Sequence, residues 1–494
     1  LTAIQVWLSE GPSPCLCEKC AGKEQFVLET AMLVRVFTRI REKRPDVTFE
    51  ILLTQGSFPQ NDKICAMVPD FVRVVYYDGG RTYNSDRKPM IYDTLAGYAQ
   101  KGGKLGVYPQ ITHSWRVVFP WSGPDFIRYR CGEFAGKRLD KAIGFALPDN
   151  DYYHTNIAAW AEWLWNKDGR DIDAFLRAWA IKKGYEPERY VRWNGLQREA
   201  AWDLAASRFL LSMVFCYPIV LKQAEVFADH RIELANFTSI DNIGGQIEKS
   251  RAALACAEEA GFAEERLESL CILNALICCR SYEKLFGGEK TADTGDIKRA
   301  YDDLHEAALE LYRRILEWDD LCRQPQNQQS SAVVDTATVL LRLMDAGYDT
   351  LKAAAGTEGL GGGRETCVYH KLGQWDISLF KGGPKQILSY DVTELAAEPG
   401  VYHGCFDFIK SASSTEINSL RVYEELPGGS RNLIAEAVPN KRLNQFEPWC
   451  ELLFSINTAA VHNGRRTLEI GLTGPENTGT TCAGIAGVRG PMNR

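Results

Sequence analysis

Polar and aromatic side chains collect at the carboxyl ends of short apolar runs near the start of the sequence. Ser9-Glu10 follows Ile4 to Leu8, Thr54-Gln55 follows Val47 to Leu53, and Tyr77-Asp78 follows Phe71 to Tyr76. Gln110, His113, Trp115 and Trp121 lie in the loop after Lys104 to Tyr108. Two carboxylates, several amide and hydroxyl donors and a set of flat rings suit cleavage of a glycosidic bond. One carboxylic acid must protonate the leaving oxygen, a second group must supply or orient the nucleophile, and rings must hold the sugar. Glu10 is the candidate general acid and Asp78 the second carboxylate, while Gln55, Tyr77, Gln110, His113 and Trp115 are candidate substrate-binding residues. Against this stand plainer readings: a surface Glu at a strand end, and for Asp78 a turn residue before Gly79-Gly80. No Ser-His-acid arrangement can be assembled, so nucleophilic hydrolase chemistry of that type has no support.

A parallel sheet would bring these ends together. Between the runs lie helix-forming stretches: Lys23 to Arg44, with Val27, Ala31, Val34, Phe37 and Ile40 stepping by three or four, then Pro89 to Gln100 and Pro124 to Lys137. A fifth strand is expected over Lys141 to Leu147. Strands alternating with helical connections give a parallel sheet with right-handed crossovers, and in a closed barrel the carboxyl ends form the mouth where chemistry is done. No glycine-rich phosphate turn follows any strand, which favours a barrel over an open doubly wound sheet. Five units do not close an eight-fold barrel. The chain opens inside the pattern, without an initiator Met or a signal peptide, so the upstream half of the barrel is expected to be missing from it.

The expected fold class is α/β plus all-α plus all-β: the C-terminal part of a (β/α)8 barrel over 1–150, a helical bundle over 151–355 and a β-sandwich over 364–494. Helices are expected over His154 to Asn166 and over Asp171 to Lys183, the latter capped by Asp171 and closed by Gly184. Ile297, Tyr301, Leu304, Ala308, Leu311, Ile315 and Trp318 step by four and three, a seam for packing against neighbouring helices. Gly356 to Gly363 holds five glycines and reads as a linker. Beyond it, short alternating runs broken by Gly and Pro spell antiparallel strands: Trp375 to Phe380, Gln386 to Asp391, Tyr402 to Lys410, Leu420 to Glu424, Trp449 to Ile456 and Arg466 to Leu472, with one last strand in 473–494.

With 494 residues, 45% hydrophobic and 24% charged, the composition is that of a globular protein of two to four domains. A net charge of -7 argues against a nucleic-acid partner, because no basic excess is available to displace counterions. The longest apolar run, Phe209 to Leu221, carries Pro218 and is too short to span a bilayer, so no membrane partner is expected. The partner expected is an oligosaccharide or glycan substrate, and association into a homo-oligomer is left open. No cofactor is expected. Of 15 cysteines, Cys271, Cys278 and Cys279 fall in a helical run over Glu265 to Phe286 and read as buried thiols. Cys15, Cys17 and Cys20 could hold zinc if Cys65 or His113 supplied a fourth ligand, or could form a disulfide. A second spaced pair is missing, so free thiols come first and no metal is expected.

The run from Val6 to Asp78, with its Ser-acid strand end, Cys-x-Cys-x-x-Cys, helix, Arg-Pro-Asp and strand, resembles the bacterial domain found in glycoside hydrolase family 163 and its relatives. Ala161-Glu162-Trp163-Leu164-Trp165-Asn166, followed by Asp171-Ile172-Asp173, looks like the start of the helical domain behind the barrel in α-glucuronidases and β-N-acetylglucosaminidases. The terminal sandwich is similar in pattern to galactose-binding-like modules. The resemblance covers about residues 1 to 200. It implies a retaining TIM-barrel glycosidase that uses the substrate's acetamido group as nucleophile, with a β-N-acetylglucosaminide as substrate and Glu10 as the acid. In such hexosaminidases an Asp or Asn precedes the acid, and here Ser9 stands in that place. A non-catalytic carbohydrate-binding protein on the same scaffold is the competing expectation, and a helical scaffold for assembly the third. The family implies export and the buried thiols a reducing compartment, so localisation stays open.

Overall fold

The computed structural model describes residues 2–77, 79–113, 117–146, 152–210, 240–286, 293–327, 329–355, 369–411, 414–426, 428–439, 441–443, 449–460, 464–475 and 482–492. The candidate residues Asp78 and Trp115, the apolar run after Leu210 and the glycine linker lie outside them. The chain divides into two compact units. One holds residues 1–208, 233–272 and 322–326, the other residues 209–232, 273–321 and 327–494. The helices between 151 and 355 are shared between them.

The first unit is built on five strands: β1 (Ala3–Trp7), β2 (Thr48–Leu53), β3 (Val72–Tyr76), β4 (Leu105–Val107) and β5 (Lys141–Ala142), in the order β1-β2-β3-β4-β5 and parallel throughout. Between them run α1 (Gln25–Lys43), α2 (Asn61–Met67), the single turn α3 (Gly79–Thr82), α4 (Asp93–Gln100) and α5 (Pro124–Gly136). Sequential order with right-handed crossovers puts every helix on one face, the winding of a barrel rather than of a doubly wound sheet. Register fixes the two faces. Phe49 packs on Phe37 of α1 at 4.8 Å and Tyr76 meets Tyr92 at 5.7 Å, so Phe49, Ile51, Leu53, Val72, Val74 and Tyr76 form the helix-covered face. Trp7, Leu52, Val75, Gly106 and Lys141, paired in one row, lie on the opposite face.

Helix α4 starts at Asp93 rather than at Pro89, with Tyr92 in extended backbone ahead of it. Behind the sheet, α6 (His154–Trp165) packs on α5, and α7 (Ile172–Lys183) and α8 (Pro187–Ala206) follow. The Asp171 carboxylate accepts from the Ala174 N–H at 2.7 Å, and Gly184 ends α7 in the left-handed conformation at φ 77°. The helix Ile240–Ala260 packs on α8. No helix among the described residues is long and apolar enough to cross a membrane.

The second unit pairs long helices with a sandwich. In the helix Thr294–Cys322, Tyr301, Leu304, Ala308, Leu311, Ile315 and Trp318 of the expected stripe are buried, while its first residue, Ile297, is only half-buried near the helix start. The strands are β6 (Tyr369–Asp376), β7 (Lys385–Asp391), β8 (Gly400–Ser411), β9 (Thr415–Glu425), β10 (Arg431–Ala437), β11 (Lys441–Leu443), β12 (Trp449–Ile456), β13 (Arg466–Thr473) and β14 (Cys482–Met492). They form two antiparallel sheets, β10-β9-β13-β7 with β11 on β9, and β12-β8-β14-β6, closed over a core that includes Phe406, Leu420, Phe454 and Ile470. The strand expected over Trp375 to Phe380 ends at Asp376. There the Asp376 side chain accepts from the Ser378 N–H at 2.8 Å and turns the chain into a 3-10 helix, Ile377–Gly382.

Candidate functional site

The face of the parallel sheet turned away from the helices begins with a charged floor. Alternation puts Gln5, Glu50 and Arg73 side by side on it. Glu50, 3% exposed, accepts from Arg73 at 2.7 Å, Lys141 at 2.7 Å and Gln5 at 2.8 Å. Burial alone would raise its carboxyl, but Lys141 and Arg73 outweigh that and hold it below the ordinary value. Gln5 also donates to the Tyr108 hydroxyl at 2.7 Å, tying the floor to the ring above it.

Above the floor stands an aromatic wall. Trp7, 46% exposed, meets Tyr77 at 5.2 Å between ring centroids, and Phe145 meets Tyr108 edge-on at 5.7 Å and Tyr77 at 6.4 Å. The Tyr77 and Tyr83 hydroxyls are 2.8 Å apart. Such a wall offers faces for stacking and hydroxyls for hydrogen bonding, which is what a pyranose ring needs.

Glu10 sits at the carboxyl end of β1 and is exposed. The residue before it, Ser9, is pinned by Glu29 and Thr54. The Ser9 N–H and hydroxyl donate to the Glu29 carboxylate of α1 at 3.0 and 2.9 Å, and the Thr54 hydroxyl donates to the Ser9 carbonyl at 2.6 Å. A Cβ at Gly56 would lie 2.7 Å from the Glu10 carbonyl oxygen, so only glycine lets the two loops approach this closely. Burial, then Tyr77, then the Glu10 charge push the Tyr83 phenol far up.

The remaining candidates are spread around this mouth. Gln55 is exposed and opens the 3-10 helix Gln55–Gln60. Gln110 is buried, bridged to Phe145, with its N–H donating to the Thr82 carbonyl at 3.0 Å and its side-chain amide to the Thr112 hydroxyl. His113 is buried against Phe119 and Trp121, and burial pushes its pKa down to about 4, so the ring is neutral at neutral pH. Tyr77 stands in the wall; Asp78 and Trp115 lie outside the described residues.

Three groups escaped the sequence. The floor joins residues 5, 50, 73 and 141, and its only local sign is a polar residue alternating with apolar ones inside each strand. Tyr83 has no periodic signal. Glu268, 7% exposed on the helix Ala263–Phe286, accepts from the Ser122 N–H and hydroxyl, both at 2.8 Å, while burial raises its carboxyl to about 7. Its burial keeps it from a substrate. A cleft lined by Asn84, Lys88, Met90, Arg130 and Lys137 holds cations already bonded to backbone carbonyls: Arg130 donates to Lys88 at 2.7 Å and Lys137 to Ile91. For a metal, Cys15, Cys17 and Cys20 bring their sulfurs within 4.8 Å of one another.

No family model matches the chain, and no curated protein matches it. Among solved structures it is similar to a GH138 enzyme targeting pectin rhamnogalacturonan II, at 9% identity and a TM-score of 0.42, with 94% of this chain and 71% of that one covered. It is also similar to a family GH115 4-O-methyl-α-glucuronidase with specificity for decorated arabinogalactans, at 12% identity and a TM-score of 0.38, with 98% of this chain covered. The chain spans 64% of the length of that second enzyme.

Proposed function

We propose that this chain forms part of a glycoside hydrolase acting on a complex glycan, with Glu10 as the general acid. What supports this reading is an exposed carboxylate just past the carboxyl end of β1, the end of the sheet where Trp7, Tyr77, Tyr108 and Phe145 gather. An acid on the rim and rings along the side match the division of labour in glycoside cleavage. Asp78, next in sequence to Tyr77, takes the part of the second carboxylate. A β-N-acetylglucosaminide, as the family resemblance implies, is the first substrate to try.

The sheet supports a ring with further staves. Parallel sheets are covered on both faces, whereas here the row through Trp7 faces away from the helices, with β1 paired to β2 and β5 to β4 among the described residues. In this proposal, strands from outside the described residues pair with those two edges and complete the mouth.

The experiment compares the intact protein with Glu10→Gln on a panel of aryl glycosides and free glycans, following both release and binding. Cleavage that falls by orders of magnitude in the variant with binding retained supports the assignment. Equal cleavage in the two proteins removes Glu10 from its role. Binding without cleavage in either protein favours the carbohydrate-binding reading instead.

A further inference from the structure

The loop between β1 and α1 is tied to α1 at Ser9 by Glu29 and at Ser13, whose N–H donates to the Gln25 side chain at 2.8 Å, but it buries little of itself. Residues 9–19 are exposed throughout, Leu16 is 87% exposed, and no helix or strand crosses the segment. A loop so poor in buried apolar surface belongs to the low-stability end of a fold unless something else ties it down. Yet its chain reversal is tight. The Cys20 and Ala21 N–H groups donate to the Cys17 carbonyl at 3.0 and 2.9 Å, Lys23 donates to the Cys20 carbonyl at 3.0 Å, and Gly22 takes the left-handed conformation at φ 75°. The turn brings the Sγ atoms of Cys15, Cys17 and Cys20 within 4.8 Å of one another.

We propose that Cys15, Cys17 and Cys20 bind one zinc ion through three thiolates, with water as the fourth ligand, and that the ion clamps the loop that follows Glu10. Zinc–sulfur bonds of about 2.3 Å in a tetrahedron put sulfurs about 3.8 Å apart, inside the spacing observed. A disulfide would use two of the three sulfurs and leave the third beside it with no partner of its kind, whereas one ion uses all three. On binding, three protons pass to solvent and the site carries a net charge of about -1, from three thiolates and one divalent ion. Its exposure leaves entry open and adds no desolvation cost. Neither Cys65 nor His113 joins the cluster: Cys65 is buried on α2 and His113 packs on Phe119 and Trp121. Zinc bound here is structural, and the inference stands whether or not the chain cleaves glycans.

The test uses the full chain, reduced and stripped with a chelator, titrated with cobalt(II). A thiolate-to-cobalt charge-transfer band that saturates at about one equivalent per chain and is bleached by zinc is expected, and it should be lost in the C15S/C17S/C20S variant. Buried cysteines do not compete, because burial holds the thiols of Cys65, Cys131, Cys278 and Cys450 protonated. Cys15 and Cys17 are exposed and Cys20 is only half-buried, so the variant should keep its far-UV spectrum and melting temperature. Zinc should also slow tryptic cleavage after Lys19 and Lys23 at least about threefold, and only in the unmutated protein. No cobalt band in the reduced chain, an equal band in the triple variant, or a disulfide within 15–20 that persists in reductant would each overturn the site. Cleavage unchanged by zinc would overturn the clamp.

Discussion

The hydroxyls of Tyr77 and Tyr83 lie 2.8 Å apart, one carried just past the end of β3 and the other just past the single turn that follows it. Burial, this bond and the nearby Glu10 charge together keep the Tyr83 phenol protonated across the working range. Tyr83→Phe removes the hydroxyl bonded to that of Tyr77. Substrate affinity is expected to fall about fivefold to tenfold, as for about 1 kcal/mol of lost hydrogen bonding, with kcat changed much less. Steady-state kinetics that show the loss in kcat instead would place Tyr83 in the chemistry.

Glu29 should act on turnover through Ser9. Its carboxylate holds both the N–H and the hydroxyl of the residue before Glu10, and Gln25 steadies it at 2.7 Å. Glu29→Ala is expected to lower kcat about tenfold or more by loosening the placement of the acid. Glu29→Gln, which keeps one acceptor oxygen, should restore most of it. A merely structural role would give parallel losses in melting temperature and no rescue of kcat.

Glu268 sets a pH dependence of stability. The folded protein keeps its proton up to about pH 7, whereas the unfolded chain releases it near the ordinary value of 4.5. Between those values the folded state binds more protons, so stability falls as pH rises. The full effect is about 3 kcal/mol. Glu268→Gln keeps acceptor and donor for Ser122 and removes the titration. Urea midpoints at pH 5 and pH 8 should converge in the variant, and an unchanged gap would assign the dependence elsewhere.

Glu451 should be the most costly carboxylate to delete from the second unit. It is buried and accepts from Arg342 at 3.2 Å, Arg489 at 3.4 Å and His403 at 3.1 Å, while the far ring nitrogen of His403 meets the Tyr312 hydroxyl at 2.7 Å. Burial would raise its pKa, but Arg489, His403 and Arg342 outweigh that and hold it well below the usual carboxylate range. Burial lowers the His403 pKa against the pull of Glu451, and in the neutral ring an Nδ1–H that donates to Glu451 leaves Nε2 to accept from Tyr312. Glu451→Ala leaves two buried guanidinium groups undercompensated and is expected to cost about 3–5 kcal/mol, read as a shift in the urea midpoint. Because the folded pKa is depressed, this contribution is present at neutral pH and lost as pH falls below the unfolded value of 4.5.

Periodicity and turn chemistry settled the local structure before any coordinates. The alternation over Val47 to Leu53, the seam from Tyr301 to Trp318, the Asp171 cap with Gly184, and the strand Trp449–Ile456 all follow from side-chain spacing and backbone preference within a few residues. So does the location of Glu10, since a strand end is a local event. What tertiary structure alone decided is which distant residues share a face. Glu50 finds Arg73 and Lys141 because strands pair in one register, and Glu268 finds Ser122 across 146 positions because a helix docks there. Register and docking are settled by burial summed over a whole unit. No window of ten or twenty residues carries that sum, so the charged floor beneath the wall could not be read from composition or spacing, whereas the cluster of Cys15, Cys17 and Cys20 is local and was legible there.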